Sequence, residues 1–441
     1  MNANHEPPAK PAREGRWLAL AFAATLPFAI GCAFDRHLAM DGVNFLIQVA
    51  ERREAFLPTP TRVAADALTQ LPLLLAVQSG VQSLPVLALA YGCGVMAPFW
   101  LGLIAAWHAL PTGRKAFLAL PLWSLLVVSF PLDGILTHES HVMTALLWAP
   151  LFFLAREEPW RGLDAVLVFA LLGVLAFSYE TVTLPALGLA ALGVRRAMKF
   201  PDKQQRLLAG GAALLAALAA VVGMAGTLAA RDPGNRANFV ATLLAPWQAP
   251  QILTGIGGWA LFVAGWAAGR RALGVAAAIF LLGMSVWWVA RGLPSLRGGA
   301  YQARTLSLTL TPILFATGAA LYVRRRPMPA GGFAVCAVAT VLMSGPVFRY
   351  LDLWRDYRAE ITRVTRTSHG FIEIAGTPLE THPERNSWNL PELSLVWGGS
   401  PVHAVIVNPP GWPWEPFDPR QHLPLRRYLA FDPELTSALP R

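Results

Sequence analysis

Apolar segments alternate along the chain with polar connections that are in turn rich and poor in Arg and Lys. Leu18–Phe34, Leu84–Leu110, Phe117–Leu132, Val142–Leu154, Val166–Tyr179, Val182–Val194, Leu207–Ala230, Ile252–Ala268, Leu273–Ala290, Leu306–Val323 and Gly332–Phe348 are mostly Ala, Leu, Val, Phe and Gly. Most approach the ~17–25 residues that a helix needs to cross ~30 Å of hydrocarbon. In lipid a backbone satisfies its own N–H and C=O groups only as a helix or a closed barrel. The period-two alternation of barrel strands is absent. The pattern therefore predicts an all-α polytopic membrane protein with about eleven transmembrane helices.

The polar breaks are uneven. The longest early one, Asp35–Ala67, holds Asp35, Arg36, His37, Asp41, Asn44, Glu51, Arg52, Arg53, Glu54, Arg62 and Asp66. Within it Asp41–Phe56 has helical periodicity, with Phe45, Leu46, Val49, Ala50 and Phe56 on one face and Asn44, Gln48, Glu51 and Arg52 elsewhere. That amphipathicity predicts a helix lying at the membrane surface. Ala67–Gly80 is apolar but short, which predicts a second juxtamembrane or re-entrant helix.

Composition agrees: 55% hydrophobic and 14% charged residues lie outside the soluble globular range. The net charge of +10 is of the sign a nucleic-acid partner needs, but its placement argues for a membrane. Lys10/Arg13/Arg16, Arg114/Lys115, Arg156/Arg161, the Arg195–Arg206 cluster, Arg270/Arg271 and Arg324–Arg326 all fall on one side of the predicted spans. The positive-inside rule makes that side, and the N-terminal tail of residues 1–16, cytoplasmic. No basic stripe interleaved with aromatics is present, and no nucleic acid is expected. Leu18–Phe34 is longer than a signal-peptide core and is expected to be kept as the first span. Cys32, Cys93 and Cys336 lie in predicted membrane segments, far apart in sequence, where packing is their expected role.

Beyond a transmembrane domain covering residues 17–348, the texture changes. Residues 349–441 carry ten Lys/Arg and eleven Asp/Glu, and read as a small external α/β domain. Tyr350–Thr367 predicts a helix, Phe371–Ile374 and Val402–Val407 predict strands, and a Pro/Trp-rich stretch follows at Asn408–Pro419. An odd number of spans places this domain outside, periplasmic if the cell is Gram-negative. It is small for an independent core and should lean on the membrane domain.

Later external connections bring His138, Glu139 and His141, then Glu180, then Arg236, and finally Arg291, Arg297 and Arg304. Carboxylates and histidines thus collect in the early external loops and arginines in the later ones. Arg grips phosphate through charge-assisted, bidentate hydrogen bonds, and a nearby Asp can take a proton from a hydroxyl. The plain alternative for each is a solvated cap or a lipid-headgroup contact, and Glu180 at a helix end reads as a local hydrogen-bonding residue. His138 and His141 share a helical face, but the His-Glu-x-x-His pattern and a clear third ligand are missing, so no metal is assigned.

Asp41-Gly-Val-Asn-Phe45, followed by the amphipathic run to Phe56, resembles the start of the GT-C superfamily of integral-membrane, polyprenyl-phosphate-dependent glycosyltransferases. Members similar to the protein-mannosyltransferase and aminoarabinose-transferase branch read Asp-Glu-x-x-Tyr here. Asp41 matches the Asp and Phe45 the aromatic, whereas Gly42 replaces the Glu. The resemblance implies an inverting enzyme that moves a sugar from a polyprenyl-phosphate donor to an envelope glycan, lipid or protein on the external face of the inner membrane. It implies Asp41 as base, with Asp35 or Glu139 as a second carboxylate. Arg304, Arg297 and Arg236 would bind the donor phosphate, while His138, Arg62 and Glu180 would orient the acceptor. No cofactor is expected, with an assisting divalent metal left open. The alternative class is a transporter or flippase of a lipid-linked or anionic solute. The internal repeat and midplane binding groups usual in secondary transporters are not legible.

Overall fold

A computed structural model of the protein describes residues 11–39, 41–129, 139–228, 345–382, 389–407 and 425–437, with scattered positions between 272 and 323. The chain is mostly helical with one small sheet. The first ten helices are α1 (Pro11–Ala33), α2 (Asp41–Arg52), α3 (Val63–Gln78), α4 (Leu84–Ala109), α5 (Ala119–Ser129), α6 (Glu139–Leu146), α7 (Trp148–Ala155), α8 (Gly162–Ala176), α9 (Thr183–Lys199) and α10 (Lys203–Leu228).

Three described helices are long and apolar enough to cross a membrane: Gly15–Ala33, Leu84–Ala109 and Lys203–Leu228. On the last of these the two faces are sorted by size rather than polarity. On α10, Ala209, Ala212, Ala216, Ala219 and Gly223 are buried, whereas Leu207, Leu214, Leu218, Val221 and Leu228 are exposed. Small residues let neighbouring backbones approach, and large apolar side chains outward suit lipid. This is a membrane protein. The expected spans at Val142–Leu154 and Val166–Tyr179 form shorter helices, Glu139–Ala155 (broken at Leu147) and Gly162–Ala176. Between Ala149 and Phe153 the first of these is enclosed by protein almost completely, so it need not match the bilayer thickness by itself. The expected spans Ile252–Ala268 and Gly332–Phe348 lie largely outside the described residues, as do most of Leu273–Ala290 and half of Leu306–Val323.

The first loop contains the two expected helices, with shifted ends. The amphipathic helix α2 stops at Arg52, not Phe56, because Arg53 turns left-handed at φ 57°. Phe56 is then held in extended chain by paired hydrogen bonds with the Gln70 side chain, both 2.8 Å. Val43, Leu46, Ile47, Val49 and Ala50 are buried against protein, so α2 is covered on more sides than a helix merely resting on lipid. The second helix, α3, begins at Val63 rather than Ala67, launched by a 3₁₀ turn at Pro60–Arg62 where proline presets the backbone.

The C-terminal part contributes α11 (Gly345–Thr367), β1 (Gly370–Glu373), α12 (Leu390–Trp397), β2 (Ala404–Val407) and α13 (Pro433–Ser437). β1 and β2 pair in parallel, Gly370 opposite Ala404. These elements share one apolar core with the first-loop helices: Trp354, Tyr357, Leu393 and Val405 pack in the same cluster as Phe28, Leu46, Val77 and Tyr91. Asp35 pairs with Arg358, Arg36 lies 4.8 Å from the Trp354 ring centre, and the Tyr428 hydroxyl donates to the Ala50 carbonyl at 3.0 Å. The C-terminal segment therefore sits on the first loop, as its small size required.

Candidate active site on the first-loop side

Arg62 ends the 3₁₀ turn before α3, and the folding of that turn delivers its guanidinium to two distant carboxylates. Nε donates to Glu180 Oε1 at 3.0 Å, and the other arm reaches Glu139 Oε1 at 3.3 Å. The guanidinium also lies 4.9 Å from the Tyr179 ring centre. Glu180 opens the short 3₁₀ turn into α9 and accepts a second bond, from the Thr61 hydroxyl, at 3.0 Å. Glu139 is the first residue of α6, where a carboxylate complements the helix dipole. The Ala64 N–H donates to the Phe177 carbonyl at 2.9 Å, hooking the start of α3 onto the end of α8. Glycines on α10 make room beneath: a Cβ at Gly226 would meet Thr61 Cγ2 at 2.6 Å, and one at Gly223 would meet Thr183 Oγ1 at 2.6 Å.

Among the described residues, more carboxyl groups than cations lie around this ion pair. Burial opposes charge on Arg62, but Glu139, Tyr179 and Glu180 more than reverse that and hold it protonated far above its ordinary range. Asp66, one helical turn after Arg62, is buried, and its Oδ2 has no hydrogen-bond partner among the described residues. Burial first, then the negative charges of Glu139, Asp41 and Glu180, push its carboxyl up to about 8 against the opposing pull of Arg62. Glu392 on α12 is fully buried, with neither carboxylate oxygen hydrogen-bonded to a described residue. Burial and the charge of Asp41 push it well above the usual carboxylate range. Asp41 itself, the first residue of α2, is exposed and therefore reachable. The arrangement is a reachable carboxylate backed by two proton-holding carboxyls and a neutralised pair. Glu139 and Glu180 share the Arg62 guanidinium as their cation.

Of the sequence candidates, Asp41, Glu139, Arg62 and Glu180 converge here. Asp35 does not: it turns left-handed at φ 61° after α1 and pairs with Arg358, with burial raising its carboxyl and Arg358 and Trp397 lowering it. Its place is the seam between the first loop and the C-terminal segment. His138, Arg236, Arg297 and Arg304 lie outside the described residues. His141 is buried and stacks on Phe99, with ring centres 6.0 Å apart. His37, also buried, shares a 2.7 Å hydrogen bond with the Ala88 carbonyl and is pushed down to about 4 by burial, so it is a neutral structural link.

Sequence reasoning missed Asp66 and Glu392 as members of the site. The spacing of Arg62 and Asp66, four apart at a helix start, is a legible signal for the first. Nothing local marks Glu392, which only the docking of α12 on α2 brings close.

A second polar feature lies at the other end of the helices. A cavity of about 610 Å³ is lined by Arg114, Arg156, Arg195, Arg196 and Lys199, with Glu157 and Glu158. Much of this basic charge caps helices. Lys115 donates to the Trp107 and Leu110 carbonyls, each at 2.6 Å, at the end of α4, and Arg196 donates to the Phe153 carbonyl at 3.3 Å and the Glu158 carbonyl at 2.6 Å. Arg156 is neutralised by Asp164. The cavity is remote from the carboxylate cluster. Comparison with protein-family models, curated proteins and solved structures matches nothing to this chain.

Proposed function

We propose that the protein is a membrane glycosyltransferase of the GT-C type, moving a sugar from a polyprenyl-phosphate donor to an envelope acceptor on the side of the first loop. The observation that carries this reading is the placement of Asp41. It stands exposed at the start of the first-loop helix, beside the buried carboxyl groups of Asp66 and Glu392, which hold their own protons and so cannot take the acceptor's. In the proposed reaction the acceptor oxygen attacks the anomeric carbon from the face opposite the phosphate. Asp41 takes the acceptor's proton, and the bond to the polyprenyl phosphate breaks with inversion. Arg304, Arg297 and Arg236 are the proposed cations for the leaving phosphate, because Arg62 is committed to Glu139 and Glu180. Arg62 and Glu180 then act by fixing the loop that presents the acceptor, and no cofactor takes part.

The test uses the purified chain in lipid nanodiscs with a polyprenyl-phosphate sugar and a mixture of envelope acceptors. Loss of the lipid-linked sugar with appearance of an inverted glycosidic bond supports the proposal. In sealed proteoliposomes, movement of intact donor across the bilayer with no new bond would replace the enzyme by a flippase.

A further inference from the structure

Three segments of the C-terminal part are drawn together by backbone pairing at one edge of the small sheet. β1 and β2 run parallel, so the residues just before them, His369 and His403, are also neighbours, and the Gly370 N–H donates to the His403 carbonyl at 2.9 Å. The chain then returns beside β2: the Val402 N–H donates to the Ala430 carbonyl at 2.8 Å and the Asp432 N–H to the Val402 carbonyl at 2.9 Å. That return places Asp432 against both histidines. Its Oδ2 is 2.9 Å from His403 Nδ1 and 3.8 Å from His369 Nδ1. Its Oδ1 is fixed by the Glu434 N–H at 2.9 Å, which holds Oδ2 toward the rings.

We propose that His369, His403 and Asp432 bind a divalent transition-metal ion of the zinc type. Three ligand atoms, two nitrogens and one carboxylate oxygen, lie within 4.8 Å of one another. Ligands about 2.0–2.2 Å from a tetrahedral zinc ion sit roughly 3.3 Å apart, and the two measured N···O separations bracket that spacing. Imidazole nitrogen selects zinc and its first-row neighbours over magnesium or calcium, which take oxygen. The 2.9 Å His403–Asp432 contact also stands without a metal as an ordinary hydrogen bond. The third group, His369, sits too far for one at 3.8 Å yet aims the same nitrogen at the same oxygen. His369 is exposed, so a fourth coordination position opens to water. The ion would staple residues 425–437 to the sheet, and that stretch carries Tyr428, which touches α2. The site is separate from the carboxylate cluster and stands whether or not sugar transfer does.

The full chain in detergent micelles, stripped with a chelator, is titrated with Zn²⁺ against a chromophoric competitor, and with Co²⁺ while visible absorption is followed. One equivalent of tight binding and cobalt bands of a nitrogen–oxygen site are expected. His403→Ala and Asp432→Asn should each weaken binding by at least ~10–100-fold, the range typical of disturbing a metal site. His108→Ala, at the far end of the helices beside Asp164, should leave binding unchanged. Circular dichroism checks that each variant folds, and His369→Ala, altering an exposed side chain, supplies a variant with little structural cost. Binding that is absent, or equal in wild type and in the His369→Ala and Asp432→Asn variants, overturns the assignment.

Discussion

Arg62 is the cation that Glu139 and Glu180 share, and its removal would strand both beside Asp66. Breaking a buried pair from one side typically costs ~3–5 kcal/mol, and these side chains are only partly buried, so Arg62→Met should lower thermal stability in detergent by up to that much. Arg62→Met combined with Glu180→Gln should recover part of the loss, which a nearest-neighbour role predicts and a remote one does not. Asp66 gives a pH signature. With its carboxyl lifted to about 8, it keeps a proton in the folded chain that the unfolded chain releases near ~4. The folded state binds the extra proton between those values, so stability should fall as pH rises through that window. Glu392, shifted the same way, adds a slope of the same sign. Melting temperature from pH 5 to 8 should therefore decline for the wild type, less for Asp66→Asn, and least for Asp66→Asn with Glu392→Gln. An unchanged slope in the double variant would place the proton elsewhere. For chemistry, Asp41→Asn keeps size but cannot accept a proton, and transfer should drop by ~10²–10⁴ while donor lipid still binds. Asp35→Asn instead weakens the seam to Arg358, and should loosen the C-terminal segment to limited proteolysis with turnover largely kept.

Helix α4 is the post against which its neighbours are set, and two glycines fix the closeness of approach. A Cβ on Gly94 would fall 1.9 Å from the Thr69 carbonyl oxygen of α3, and one on Gly102 would fall 2.2 Å from the Ala145 carbonyl oxygen of α6. Backbone atoms cannot swing aside as side chains do, so Gly94→Ala must push α3 away. A loss of at least ~1–3 kcal/mol is expected, with disturbance of Asp66 and Arg62 at the head of α3. Gly173→Ala on α8, with nothing within 4 Å of the new methyl, should be neutral or gain up to ~1 kcal/mol from helix propensity. Thermal melts of the two variants check the contrast. Elements of this sort were legible where periodicity is local. The pattern at Asp41–Phe56 gave a helix because its apolar face is strong, yet its end was wrong by four residues, since a left-handed Arg53 leaves no compositional trace. The apolar run Val142–Leu154 named a helix, while its full enclosure, and the break at Leu147, depend on neighbours that hydropathy does not see. The carboxylate cluster divides likewise. Asp41, Glu139, Arg62 and Glu180 were findable because charge next to hydrocarbon needs a reason, whereas Glu392 and the Asp432–histidine cluster exist only through long-range docking.

Across the whole molecule, the two polar ends of the described helices differ in kind. One carries the carboxylates together with the C-terminal segment, joined through a common core from Phe28 to Val405. The other carries Arg114, Arg156, Arg195, Arg196 and Lys199 around the 610 Å³ cavity, with Arg196 and Arg114 donating to main-chain carbonyls. Cationic side chains are favoured at helix C-termini by the dipole, and the positive-inside rule assigns an Arg/Lys-rich end to the cytoplasm. Under the proposed function the carboxylate end, with the C-terminal segment, would face outward, where a polyprenyl-linked donor and envelope acceptors would meet. Ser437 is exposed on α13 and Gln204 is exposed at the start of α10, so single cysteines there report the two ends. In a background with Cys32, Cys93 and Cys336 replaced by serine, a membrane-impermeant maleimide applied to spheroplasts should label Ser437→Cys. Gln204→Cys should label only after permeabilisation. The reverse pattern would turn the protein over in the membrane and remove the external acceptor from the proposed reaction. Labelling of both positions without permeabilisation would mean that the carboxylate and basic ends do not lie on opposite faces, and the sidedness argument from the arginines would fail with it.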